Sequence, residues 1–385
     1  MGVVLNADIL YIILINGIVM AEKICTRDEL KKLGRFLKGY ESDEKESPEK
    51  GMLFYHSDAD GVCSAALFLR FFEDFRYSPR KGPAMAKDFV DMVLDKRPRL
   101  LVFLDMPVDQ ERKTLNMFLK EIPKLRIIII DHHITEKNIG SDRVVHINPR
   151  FLKSDAYIPA ACAVYRILEE MGKDVRPMVW IAAMGVIGDY GWPDCHELIE
   201  ECKEGYPSLL RGNPRESVLG KGAEMIASAT TIKGLPGIGE CLKVLLVAKG
   251  YEDFESSENL QAWKREFDEE FGVVVSDFEE KKEVFEKEGL IVYEVKSRLS
   301  LTSVLSTHLG SRFPENVIAI KKADGERWKV SLRNQSGRVN LGVAVKEAVK
   351  GIGSGGGHEK AAAALVSDWE KFLKRLRKEI SSASS

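Results

Sequence analysis

The run Ile127-Ile-Ile-Ile-Asp131-His132-His133 constrains this chain more than any other stretch. Four consecutive β-branched apolar residues predict a strand buried on both faces, as in a parallel sheet covered by helices. The strand then stops at one carboxylate and two imidazoles. In an open α/β sheet, ligands bind beyond the carboxyl ends of the strands, so Asp131, His132 and His133 are expected to face a site. Burying three such groups without partners would be costly.

The same arrangement recurs along the chain. A strand at 51–55 (GMLFY) leads into His56, Asp58, Asp60 and Gly61, and a helix follows with Val62, Ala65, Ala66, Leu69 and Phe72 as its apolar positions. A strand at 100–104 (LLVFL) ends at Asp105, before a helix over 109–121. A short strand is expected at 143–147, and helices at 156–171 and 176–187, the second ending in Gly188-Asp189-Tyr190-Gly191. Strands separated by helices predict a mostly parallel sheet with right-handed crossovers.

At 385 residues the chain has room for two domains. Residues 1–50 read as an N-terminal extension and linker. The apolar run 9–20 is too short to span a bilayer, and with no basic residue before it and no cleavage site after it, it does not read as a secretory signal. The first 19 residues are either an upstream extension of the reading frame or an extra strand or oligomer contact. A helix at 27–39 starts with a Thr26 cap and Glu29, and 41–50 is a charged linker.

The α/β domain is expected over 51–195, and a helical remainder and connector over 196–290. Within the latter, GLPGIGE (234–240) opens a helix, and 251–290, with fourteen acids against five bases, reads as one or two long exposed helices. A smaller α+β domain is expected over 291–378. It has strands at 291–295, 316–322 and 328–334, a helix at 341–350, a glycine-rich turn ending at His358, and an alanine-rich helix.

A net charge of −2 gives no global argument for nucleic acid, so any basic surface must be local. The six cysteines are scattered without a CxxC pair, which fits reduced thiols in a cytoplasmic protein. Cys195-His196 and Cys202 lack the second ligand pair that a zinc site needs. Carboxylates and imidazoles without thiolates suit Mn²⁺, Mg²⁺ or Zn²⁺, with octahedral Mn²⁺ foremost. The ligands exceed what one ion needs, whereas two ions bridged by a carboxylate would use them, as in-line displacement at phosphorus requires.

The segments YHSDADG, VFLD, IIIDHH and GDYG, followed far downstream by GGGH, resemble the DHH phosphoesterase superfamily, over about residues 50 to 370. Within it, the DADG form and the C-terminal domain look most like the archaeal RecJ-like nucleases and the nanoRNase/phosphoadenosine-phosphate phosphatase group. Bacterial RecJ proteins carry an aspartate where this chain has His56, and the extra nucleic-acid-binding domain of the longer bacterial enzymes is not expected here.

The resemblance implies roles position by position. His56, Asp58 and Asp105 would hold one ion, with Asp58 or Asp105 reaching toward the second. Asp105, His132 and Asp189 would hold the other, which makes Asp105 the bridge. Asp60 would be a ligand or would only fix the turn before the helix. Asp131 would orient His132, and His133 would face the scissile phosphate. The nucleophile would be a water shared by the ions.

In the C-terminal domain, Gly355, Gly356, Gly357 and His358 would cradle a phosphate with backbone N–H groups at a helix start. Arg333 would clamp the same phosphate bidentately. Eight Lys/Arg against three acids between 321 and 350 supply the local basic surface that a polyanion needs. Trp328 and Tyr190 are candidate stacking residues, though single aromatics more often belong to cores.

The function implied is a metal-dependent exonuclease on single-stranded DNA or RNA, with the strand held between the two domains. The alternatives are a phosphodiesterase acting on very short oligonucleotides, phosphoadenosine phosphate or cyclic dinucleotides, and an inactive scaffold of the RecJ-like type. Replication or repair proteins and a second copy of the chain are possible partners; a membrane is not expected.

Overall fold

The computed structural model describes residues 24–42, 51–135 and 137–383. The apolar run at 9–20 and most of the charged linker lie outside them. The chain divides into two compact units, Met1–Lys264 and Arg265–Ser385.

In the first unit, helix α1 (Arg27–Ser42) precedes five strands: β1 (Gly51–His56), β2 (Phe75–Arg80), β3 (Leu100–Leu104), β4 (Arg126–Ile130) and β5 (Val144–Ile147). All pair in parallel, in the order β2-β1-β3-β4-β5. The crossovers are carried by α2 (Ala59–Leu69), α3 (Lys87–Lys96) and α4 (Arg112–Glu121). Alternate strand residues face two cores. Leu53, Val102, Ile128 and Ile130 pack on the face that α2 covers, whereas Phe54, Phe103, Ile127 and Ile129 meet Phe89 of α3 and Phe118 of α4. Burial on both faces is why Ile127–Ile130 is apolar without alternation.

Helices α5 (Ala160–Glu170) and α6 (Val179–Gly188) pack against α2 through small residues. A Cβ on Gly185 would lie 2.7 Å from that of Ala161 and 2.9 Å from that of Cys63, and one on Gly188 would lie 2.4 Å from that of Ala59. This close approach carries the end of α6, and hence Asp189, toward the start of α2. Helices α7 (His196–Gly205), α8 (Val218–Lys233), α9 (Leu235–Val247) and α10 (Tyr251–Glu255) add Leu198, Ile226, Leu242 and Phe254 to the same core. The helical remainder that follows residue 196 therefore packs into the body of the first unit. The units divide within α11 (Glu258–Lys281), and β6 (Glu283–Phe285) follows it where exposed helix was expected.

The second unit has a six-stranded mixed sheet in the order β10-β11-β9-β8-β7-β6. Its further strands are β7 (Leu290–Glu294), β8 (Val317–Asp324), β9 (Arg327–Asn334), β10 (Gly353–Gly357) and β11 (Ala361–Val366). Helix α12 (Thr302–Arg312) meets Ser331 through a Ser306 Oγ–Ser331 Oγ hydrogen bond of 2.9 Å. Helices α13 (Leu341–Ala348) and α14 (Trp369–Ala383) share a core with Leu290, Val330, Leu332, Ala362 and Ala364.

Two expectations fail in this unit. The alanine run is strand β11, not a helix, and Gly353–Gly357 is edge strand β10 paired antiparallel with it, not a turn at a helix start. Space explains the second. A Cβ on Gly355 would come within 2.8 Å of Val345 Cγ1 on α13, and one on Gly353 within 2.1 Å of the Leu365 carbonyl oxygen. Gly353 and Gly355 therefore have no room for a side chain, and in β11 sheet pairing outweighs the helix preference of alanine.

Candidate metal centre

The strand order reverses between β1 and β3, so the crevice at their carboxyl ends is the topological switch point of the first sheet. His56 ends β1, and Asp105 follows β3 directly. Asp105 sits in the left-handed region at φ 58°, a strained conformation for a residue with a Cβ. Its N–H donates to the Ile130 carbonyl at 2.9 Å, which ties the end of β3 to that of β4.

Seven of the acids and histidines read from the sequence converge there. His56 Nδ1 lies 2.6 Å from Asp58 Oδ2 and 3.3 Å from Asp105 Oδ2. His132 Nε2 lies 3.2 Å from Asp105 Oδ1, 3.5 Å from Asp189 Oδ2 and 3.9 Å from Asp60 Oδ2. His133 Nδ1 lies 3.7 Å from Asp105 Oδ1. Three sets of side chains have ligand atoms close enough to share an ion: His56, Asp58 and Asp105; Asp105, His132 and His133; Asp60, His132 and Asp189. Asp105 and His132 each belong to two sets.

The carboxylates differ in how far the protein already satisfies them. Asp58 caps α2, its Oδ1 accepting from Gly61 N at 2.9 Å, which leaves Oδ2 facing His56. Asp60 accepts from Ala160 N at 2.6 Å and Ala161 N at 2.7 Å, the first amides of α5. Those bonds fix the start of α5, whereas Asp58 caps α2, the helix whose turn Asp60 was expected to fix. Asp105 is the opposite case: both its oxygens are buried and neither accepts a hydrogen bond. With imidazoles at 3.2 and 3.3 Å as its nearest partners, this buried carboxylate is placed as a metal-ligating oxygen is, so the residues present fit a divalent ion.

Electrostatics agree. Burial and the charge of Asp105 push Asp60 well above its ordinary range. Asp189 is pushed up to about 6 by burial and by Asp105 and Asp58, against the pull of His132. Like charges crowded in low dielectric resist ionising together, and a bound cation removes that penalty.

Asp131 does not hold His132 as expected. Its Oδ1 contacts His133 Nδ1 at 2.8 Å, and this pairing, opposed by burial, keeps the Asp131 carboxyl below its usual range. Residues two apart on extended backbone share a side, so Asp131 and His133 face together while His132 turns toward Asp189.

Other supporting groups lie outside the motifs of the sequence. Tyr157 OH donates to Asp189 Oδ2 at 2.9 Å. Asn148 Nδ2 donates to the His133 carbonyl at 2.9 Å, and Arg150 Nε to that of His132 at 2.8 Å. Together they pin the loop of Asp131-His132-His133. The Asn-Pro-Arg sequence directly after β5 was the available cue.

Tyr190, beside Asp189, is 45% exposed at φ 60°, with Trp192 at 5.7 Å between ring centroids and Arg215 at 5.1 Å from its ring. Trp328 instead packs with Lys321 and Trp369 in the second unit. Cys195 and Cys202 are buried while His196 is exposed, and no set containing them could share an ion among the described residues.

In the second unit, Arg333 pairs in register with Ala361 and donates from Nε to Thr307 Oγ1 at 3.1 Å. It lies beside the β10–β11 hairpin, whose connection begins at the exposed His358. Gly355, Gly356 and Gly357 lie on the sheet edge, so any amides they offer an anion come from an edge strand rather than a helix start.

Comparison with known proteins gives the same picture. Residues 52–188 match the DHH family, N-terminal domain, and residues 289–383 match the DHHA1 domain. RecJ from Thermus thermophilus, solved in complex with Mn²⁺, aligns over 92% of this chain and 54% of its own at 17% identity and TM-score 0.64. A manganese-bound exonuclease RecJ aligns over 93% of this chain and 94% of its own, at 18% identity and TM-score 0.59. CDC45 from Entamoeba histolytica covers 92% and 99% at 12% identity and TM-score 0.55. This chain thus spans about half the length of the Thermus protein, and at these identities the likenesses show a shared fold. Among curated proteins, none matches the chain in sequence. With both domains present in order around this acid and histidine cluster, the chain belongs to the DHH phosphoesterase superfamily, with a RecJ-like fold.

Proposed function

We propose that this phosphoesterase is an exonuclease that shortens single-stranded DNA or RNA using two divalent ions, Mn²⁺ by preference. The observation that carries the reading is the overlap of the three ligand sets at Asp105 and His132. His56, Asp58 and Asp105 would hold one ion, and Asp105, His132 and Asp189 the other, with Asp60 at its margin. Ions held there would supply a water of lowered pKa.

The chain's own residues do the rest. Asp105 fixes the spacing of the two positions, because a strained backbone and the Ile130 carbonyl set where its carboxylate points. Tyr157 orients Asp189 from outside the cluster. Asp131 holds His133 by Nδ1 and so leaves Nε2 for the scissile phosphate. Arg333 and the Gly355-Gly356-Gly357-His358 edge take a substrate phosphate, and Tyr190 stacks a base.

The complete set of acids favours an enzyme over a scaffold, since a scaffold has no need to keep strained, crowded carboxylates. Digestion of 5′- and 3′-labelled single strands of DNA and RNA with Mn²⁺ tests the reading. Stepwise shortening from one end is expected, and a chain that turns over no strand of any length contradicts it.

A further inference from the structure

At the other end of the first sheet, where β3 and β4 begin, lies a cavity of about 630 Å³. Six cationic side chains line it: Lys32 and Arg35 of α1, Arg99 and Arg126 at the strand starts, and Lys124 and Arg143 in the adjoining turns. Asp142 is the single acid among the lining residues.

Neutral groups aim several of these cations without offsetting their charge. The Arg126 guanidinium lies 5.2 Å from the centre of the Phe36 ring. Arg143 Nη1 donates to the Pro123 carbonyl at 2.9 Å, and Lys32 Nζ to the Val144 carbonyl at 3.1 Å and to that of Ser141. Burial holds the Lys32 ammonium below its ordinary range. Among the described residues, no side chain pairs with Arg35 or Lys124. Six cations round one concavity, against Asp142 as the one acid among its described lining residues, make it attractive to an anion.

We infer that this cavity binds the phosphate groups of a free nucleotide-sized anion, at a site separate from the metal centre. The volume is in the range of small-ligand pockets. Planar guanidinium groups match phosphate oxygens bidentately, which favours phosphate over a single carboxylate. The five residues of β3, rising about 3.3 Å each, put roughly 15 Å between the cavity and Asp105. A ligand held here does not reach the metals, so it serves as an effector or a stored product.

The test is calorimetric titration of the full chain carrying Asp105→Asn, in chelator, with pyrophosphate and with adenosine diphosphate, so that no metal can capture phosphate. Binding is expected, weakened about tenfold by Arg35→Glu and by Lys124→Glu, the weight of one charge-assisted contact. Lys124→Gln, with a melting curve for each variant, separates lost contact from lost fold. Equal affinity for both probes assigns the site to phosphate alone, and tighter diphosphate binding adds a base seat. Absence of binding by either probe, or affinity unchanged by both charge reversals, overturns the inference.

Discussion

Asp105 Oδ1 and His132 Nε2 lie 3.2 Å apart although they follow different strands, β3 and β4. The backbone brings them together: the Asp105 amide donates to the carbonyl of Ile130, two residues before His132. Because neither oxygen of Asp105 accepts a hydrogen bond, its lone pairs remain directed at the cluster. The residue is placed by main chain, with its carboxylate turned into the cluster.

Asp105→Asn follows from that placement. Activity should fall by more than about a hundredfold, since even an outer partner of a metal ligand is worth about 10- to 100-fold. The metal-free variant should melt no lower than the metal-free wild type, because the change removes a buried charge facing Asp60 and Asp189. Steady-state kinetics and a melting curve check the two halves separately.

Metal should stabilise the native chain. At an ion concentration about a hundredfold above Kd the gain is about 2.7 kcal/mol, several degrees of melting temperature, reversed by chelator. Fluorescence-monitored melting reads it, and Asp105→Asn should lose most of the shift.

Tyr157→Phe removes only the hydroxyl that donates to Asp189. Metal affinity or kcat should drop by about tenfold with the melting temperature nearly unchanged. An unaltered Mn²⁺ titration would show that the Tyr157 hydroxyl has no part in metal binding.

Tyr190→Ala should raise KM for single strands by about tenfold and leave kcat near wild type, in line with about 1–3 kcal/mol per stacked base. A fall in kcat at constant KM would argue against stacking.

Gly61→Ala tests the geometry of the first motif. The added Cβ would fall 2.3 Å from the His56 carbonyl oxygen, which is main chain and has no way to swing aside. Both the turn and the His56–Asp58 ligand pair should be displaced, with loss of stability and of Mn²⁺ binding. Thermal melts with and without Mn²⁺ would show a full-strength metal shift if the turn absorbed the methyl group.

Strand ends were legible in the sequence because burial on both faces leaves an uninterrupted apolar run, and the acids after His56, Leu104 and Ile130 stand out against it. Features that depend on contacts distant in sequence were not legible. Edge strand β2 reads FRYSPR, mostly uncovered and carrying a proline, so neither pattern nor propensity announces it. The alanines of β11 look helical until the strand's pairing with β9 on one side and β10 on the other is seen. Asp131 and His133 are two apart, and only their facing on one side of an extended loop shows which histidine the acid holds. Tyr157 reaches Asp189 across 32 positions of the chain, a link that no local motif encodes.

The central claim is that Asp105 bridges two ions. Electron paramagnetic resonance of the full chain loaded with Mn²⁺, with the metal counted per chain, tests it most directly. Two ions are expected, with an exchange-coupled signal that Asp105→Asn converts to that of isolated Mn²⁺. A single uncoupled ion in the native chain, unchanged by Asp105→Asn, would contradict it.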